Sequence, residues 1–199
     1  MSANDRIILD QILQQTQQKL APNLSSAQFF EIFTAEQILK DYDLSYDEIE
    51  SGIVGEGGDG GVDSLYLLLN GELLQDDTDV TAFGKNLHME LIIIQAKTSA
   101  GFSEGAIDKL KAFTEDLLDL SKDISSLRSV YNQGVLSIMK RFRSVHEALA
   151  AKFPALTISY RYASKGDDVH PNVSRKAEAL KRAVVQLFSG GFLPFYLSF

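Results

Sequence analysis

Gly60-Gly61-Val62-Asp63, running straight into Leu65-Tyr66-Leu67-Leu68-Leu69, is the stretch on which the reading of this chain turns. A glycine-rich turn becomes an apolar strand, and a carboxylate stands at the junction. A second apolar run, Leu91-Ile92-Ile93-Ile94, ends in Gln95-Ala96-Lys97. Side chains on a strand alternate between faces, so Gln95 and Lys97 project to the same side. An amide and an ammonium that close an oily strand are costly to bury without a partner. A carboxylate at the start of the neighbouring strand, with a metal ion beside it, would be such a partner. The two stretches together predict one site, with Asp63 facing Gln95 and Lys97.

The elements around these strands set the fold class. Residues 4–20 read as a glutamine-rich helix, broken by Pro22 and Asn23. Ser25 and Ser26 offer an N-cap for a helix over residues 27–40. On a helical wheel Glu36 falls on the apolar side with Phe29, Ile32 and Phe33, while Glu31 lies nearly opposite. A glutamate on an oily stripe points to a metal or to Lys97. Asn70-Gly71 is a strong hairpin signal after the first strand. A second strand is expected to begin within residues 72–88 and a third to cover Met89 to Lys97. Helices follow over residues 106–120 and 127–152, then a strand at residues 156–163, a basic helix at 171–188 and a last strand at 192–199. This order predicts an α/β three-layer core, a mixed β-sheet flanked by helices. Residues 1–24 form an N-terminal helix ahead of the main domain, residues 25–199. An end inside an apolar strand suggests the N-terminal part of a longer protein.

Composition narrows the function. The 199 residues, 45% of them hydrophobic, suffice for one sizeable core. With no cysteine there is neither a disulfide framework nor a zinc–thiolate site, which fits a reducing, cytoplasmic setting. A signal peptide and a membrane span of about 20 apolar residues are both missing from the sequence, so no membrane partner is expected. The net charge of −8 is uneven. Residues 1–125 carry 8 Lys and Arg against 23 Asp and Glu, a net of −15, whereas residues 126–199 carry 11 against 4, a net of +7. An acidic front and a basic back suit a protein that holds a cation in one place and an anionic polymer in another. Mutual pairing of the two halves would account for the same numbers.

Other motifs are weaker. Gly55-Glu56-Gly57-Gly58-Asp59-Gly60 matches a dinucleotide string, but no strand precedes it, no helix follows it, and its own acids would repel a pyrophosphate. The glycines read better as a flexible turn, or as a place where a DNA backbone approaches Asp63 closely. His88, His146 and His170 lack ligand spacing.

Gly60-Gly61-Val62-Asp63 ahead of a strand, with Ile93-Ile94-Gln95-Ala96-Lys97 ending another, resembles the PD-(D/E)XK nuclease superfamily. The Gln-x-Lys form is similar to the type IV restriction endonuclease branch. Phe33-Thr34-Ala35-Glu36, Asp41-Tyr42-Asp43-Leu44-Ser45 and Glu50-Ser51-Gly52-Ile53-Val54 resemble the N-terminal domain of abortive-infection phage-resistance (AIPR) proteins. The resemblance covers about residues 25–120. It implies a restriction-endonuclease-like core and Mg²⁺- or Mn²⁺-dependent cleavage of nucleic acid, DNA before RNA, in phage defence. Its catalytic set is Asp63, Gln95, Lys97 and Glu36. The metal ligands implied are Asp63, the Gln95 side-chain oxygen, the Ala96 carbonyl and Glu36, with Gln95 in place of the commoner acid. Lys140, Arg141, Arg143, Arg175 and Lys176, with Lys181 and Arg182, would hold the phosphate backbone by charge. Two other readings compete: a nuclease-like domain that binds nucleic acid or a protein without cutting, and an assembly module, self-associating or within a larger protein, whose interfaces are residues 1–24 and the last strand.

Overall fold

The structure, a computed structural model, describes residues 2–188 and 195–198. Five strands, β1 (Ser64–Leu69), β2 (Glu72–Leu73), β3 (His88–Lys97), β4 (Ala155–Ser164) and β5 (Phe195–Ser198), form one sheet in the order β2-β1-β3-β4-β5. β1 is antiparallel to β2 and β3, whereas β4 is parallel to β3 and β5. Among the described residues six α-helices accompany this mixed sheet: α1 (Ala3–Leu20), α2 (Ser26–Leu39), α3 (Tyr46–Ser51), α4 (Glu104–Phe113), α5 (Gln133–Leu149) and α6 (Pro171–Leu187). Strand alternation divides the core. Leu65, Leu67, Leu91 and Ile93 face α4, α5 and α6, while Tyr66, Leu68, Ile92 and Ile94 face α2 and α3. The α/β three-layer architecture is the one expected.

Local chemistry explains the boundaries. Ser25 caps α2 through a reciprocal pair with Gln28, and Ser45 caps α3 with Glu48 in the same way. Asn70 and Gly71 both have positive φ, 54° and 87°, as a tight two-residue hairpin requires. The second strand shrinks to two residues, after which the chain makes a 3₁₀ turn at Val80–Ala82 before β3. The helical stretch expected from residue 127 starts only at Gln133. Asn132 is its N-cap, accepting from the Val135 N–H at 3.0 Å. Of the terminal strand expected over 192–199, residues 195–198 form β5; the others lie outside the described residues.

The direction of α2 positions the site. Phe29 and Phe30, near the start of α2, pack with Ala96 near the end of β3. Farther along, Ile32, Ala35 and Leu39 cover Ile92 and Ile94. Just past its end, the Tyr42 hydroxyl donates to Glu90, near the start of β3, at 2.7 Å. The helix therefore runs antiparallel to β3, and its first turns are level with Gln95-Ala96-Lys97. α1 leans on α2 through Leu13. Among the described residues no helix is long and apolar enough to cross a membrane.

Candidate active site

Asp63 sits one residue before β1 with only 6% of its surface exposed. Its backbone is tied on both sides: its N–H donates to the Ile94 carbonyl and its carbonyl accepts from the Val54 N–H, each at 2.9 Å. Its Oδ2 accepts from the Ala96 N–H at 2.6 Å and from the Gln95 Nε2. Burial pushes the Asp63 carboxyl above the usual range, and the charge of Asp59 adds to this. The Ala96 N–H, the Lys97 ammonium and the Gln95 amide pull the other way. Asp63, Gln95 and Lys97 line one cavity of about 310 Å³, together with Asp59, Ser103 and Lys109. The meeting expected of Asp63, Gln95 and Lys97 is thus what the structure has. A larger cavity, about 510 Å³, lies at the β2 edge between β1 and α5. It holds none of these groups.

The helix acid is Glu31, not Glu36. A side chain on Gly55 would put its Cβ 2.8 Å from Glu31 Oε2 and 3.4 Å from Asp63 Oδ1. The two distances bound the separation of these carboxylate oxygens at about 6.2 Å. Burial raises the Glu31 carboxyl to about 7, with Asp63 and Asp59 adding and Lys97 opposing. Glu36 is half-buried beside α3, in a shallow cavity with Lys40, Asp43 and Tyr46. Burial alone raises its carboxyl, and no charge from the Asp63 cluster acts on it. The reason is axial. α2 is antiparallel to β3, so a residue five positions later lies about 7.5 Å farther from the end of β3. Apolar residues on both flanks, Phe29 and Phe30 toward α1 and Ile32, Ala35 and Leu39 toward the sheet, also blur the helical phase.

Gln95 reaches Asp63 through its amide nitrogen. Its Oε1 lies toward Gly61, 3.4 Å from where a Cβ there would sit. In this arrangement Gln95 orients the carboxylate. Gly60 and Gly61 have φ of 69° and 83°, and a Cβ would strike the Tyr131 ring at 2.6 Å or the Lys109 Cβ at 2.8 Å. They are small because protein packs against them. Asn132, which the sequence reading passed over, fastens this loop. Its Nδ2 donates to the Val54 and Gly57 carbonyls at 2.8 and 3.0 Å, and its N–H reaches the Gly58 carbonyl at 2.6 Å.

The basic residues of the second half do not gather at this cavity. Arg141, on α5, pairs with Asp76 and donates to the Leu74 carbonyl at 2.9 Å. Arg143 donates to the carbonyls of Asp116, Leu117, Asp119 and Lys122. Lys176, on α6, pairs with Glu104 and Asp108 of α4. These three are held by the acidic first half or by its backbone, contrary to the phosphate-binding expectation. Lys140 and Arg175, with Lys181 and Arg182, have no ion pair among the described residues, and none of them lines the Asp63 cavity. The histidines serve locally: His88 meets Thr157 at 2.8 Å, His146 packs between Phe142 and Phe188, and His170 caps α6.

The donor set suits a hard divalent cation with few protein ligands. Among the described residues no three His, Asp or Glu side chains close around one point. Mg²⁺ takes one or two carboxylates and keeps several waters or phosphate oxygens. Asp63 Oδ1 and Glu31 Oε2, on either side of a cradle that a Gly55 side chain would fill, meet that need. No protein-family model matches the chain, and there is no match among curated proteins or among solved structures.

Proposed function

We propose that the chain is a divalent-metal-dependent phosphodiesterase acting on nucleic acid, DNA before RNA. One observation carries this reading: a buried carboxylate, pinned at Oδ2 by the Ala96 N–H and the Gln95 amide, keeps Oδ1 toward Glu31, while Lys97 stands at the same open cavity. Asp63 and Glu31 would hold Mg²⁺ or Mn²⁺. A strand residue presents its C=O to the same side as its N–H, so the Ala96 carbonyl faces this place as well. Such an ion supplies a water of lowered pKa and a Lewis acid for the phosphate. Gln95 fixes the rotamer of Asp63. Lys97, exposed at the end of β3 and unpaired among the described residues, offsets the negative charge that grows on the non-bridging oxygens. Phage defence rests on the AIPR resemblance alone.

The test is incubation of the protein with single- and double-stranded DNA and RNA in Mg²⁺, Mn²⁺ or EDTA. Metal-dependent cleavage lost in Asp63→Ala and Lys97→Ala supports the reading, and cleavage that persists in EDTA sinks it. One alternative is a domain that binds nucleic acid without cutting. Binding in EDTA with no cleavage under any metal would establish that alternative.

A further inference from the structure

We infer that Lys109 holds a second phosphate, next to the one that reacts, and that the substrate strand crosses the Gly60-Gly61 turn. The inference rests on the phosphodiesterase reading. The Asp63 cavity does not end at Gly61. A neighbouring cavity of about 340 Å³, reaching Tyr131 and Val130, shares Asp59, Gly61 and Lys109 with it. Lys109 is the cation common to both. Its stem is set by packing, since its Cβ and Cδ lie over Gly61 where a side chain would collide at 2.8 and 3.1 Å. Its head is exposed and has no ion-pair partner among the described residues.

The neighbouring charges on α4 are all engaged. Lys111 pairs with Glu115, and Glu104 and Asp108 pair with Lys176. The acids along the second cavity are likewise engaged. Asp59 accepts from the Gly61 N–H at 2.6 Å, and Asp116 takes the Tyr131 hydroxyl and Lys122, each at 3.0 Å. What the groove has without a partner among the described residues is the Lys109 ammonium on its fixed stem, with Val130, 53% exposed, along the same cavity. A phosphate with a base beside it meets both demands, the charge at Lys109 and the base against Val130. A mononucleotide-sized ester at Asp63 would not reach this second cavity.

The test compares a small phosphodiester with a polymer. Wild type, Lys109→Ala and Lys109→Arg are assayed in Mn²⁺ on bis(para-nitrophenyl) phosphate and on a fluorescein-labelled oligodeoxythymidine. Lys109→Ala is expected to raise KM for the oligonucleotide about tenfold, the size of one lost charge-assisted contact, and to leave the small ester unchanged. Lys109→Arg restores the oligonucleotide KM. The salt dependence of oligonucleotide binding becomes shallower by about 0.7 in log–log slope, one phosphate's worth on a single strand. An unchanged oligonucleotide KM overturns the inference and leaves the phosphodiesterase reading standing. Equal losses on both substrates overturn it too, since Lys109 would then act on the reacting group. A wild type that cleaves neither substrate removes the phosphodiesterase reading and the inference with it.

Discussion

At the Asp63 end of the sheet, Asp59, Asp63, Lys97 and Lys109 line one cavity, Glu31 lies near enough to feel the charges of Asp63, Lys97 and Asp59, and no ion pair among the described residues joins them. On α5 and α6, by contrast, Arg141, Arg143 and Lys176 each find an acid or several carbonyls of the first half. Both regions are rich in charge, and among the described residues only the first crowds acids and lysines together without an ion pair between them. A charge closed by its own protein contributes to stability. Two neighbouring carboxylates raised by burial are a cost that a proton or a cation removes. The net charge of a segment, +7 over residues 126–199, does not distinguish these cases. Pairing does.

The largest effect should fall on activity at Asp63. Asp63→Ala and Lys97→Ala are expected to lower metal-dependent cleavage by roughly a thousandfold or more while circular dichroism and melting temperature stay close to wild type. Gly55→Ala should cost less, because its Cβ would sit 2.8 Å from Glu31 Oε2, the far end of a flexible side chain that can swing aside. Full activity in Glu31→Ala would remove Glu31 from the site.

Arg143 carries the opposite expectation. It caps the chain where α4 continues as a π-helical turn, Thr114–Leu118, and satisfies carbonyls that the turn leaves open. Arg143→Ala should cost about 2–3 kcal/mol, lowering the melting temperature by roughly 5–10 °C, with nucleic-acid binding per folded molecule unchanged. A loss of binding with no loss of stability would put Arg143 back among the phosphate contacts and blur the contrast between the two regions.

Asp63, Gln95 and Lys97 were legible because a strand has a period of two and every residue declares its face. The three layers followed from the succession of helical and strand periods along the chain. Glu31 was not legible, for a reason that can be stated. A helical wheel gives an angle around the axis but no height along it, and only the antiparallel course of α2 over β3 separates Glu31 from Glu36. Lys109 had no signal at all, since an exposed lysine on an amphipathic helix is ordinary until the loop beneath it is placed. Asn132 has one, a cap residue ahead of a helical run, hidden because the helical pattern of residues 127–152 runs on across it.

Glu31 also makes the contrast visible in pH. Its carboxyl titrates near 7 in the fold against about 4.5 in the unfolded chain. Between these values the folded protein holds a proton that the unfolded chain has released, so stability falls as pH rises through that window. Melting curves in EDTA from about pH 4.5 to 7 should show this decline, and Glu31→Gln should flatten it. Mn²⁺ should offset it in the wild type by favouring the ionised pair. A wild-type curve parallel to that of Glu31→Gln, in EDTA and in Mn²⁺ alike, would mean that the Glu31–Asp63 pair neither resists ionisation nor takes a metal.

The smallest effect belongs to Arg141 and Asp76. The Asp76 side chain is 87% exposed and that of Arg141 only 21%, so this is a pair with one end in water. Exposed pairs couple by about 0.2–1 kcal/mol, because solvent screens the attraction and both side chains lose freedom. A double-mutant cycle with Asp76→Ala and Arg141→Ala should return a coupling in that range. Arg141→Ala alone should cost more than Asp76→Ala alone, since it also frees the Leu74 carbonyl that Arg141 holds at 2.9 Å. High salt should erase the coupling but not the extra cost of Arg141→Ala. If instead Asp76→Ala strengthened nucleic-acid binding, the pair would be restraining Arg141 from a phosphate, and the basic second half would regain a role at the substrate.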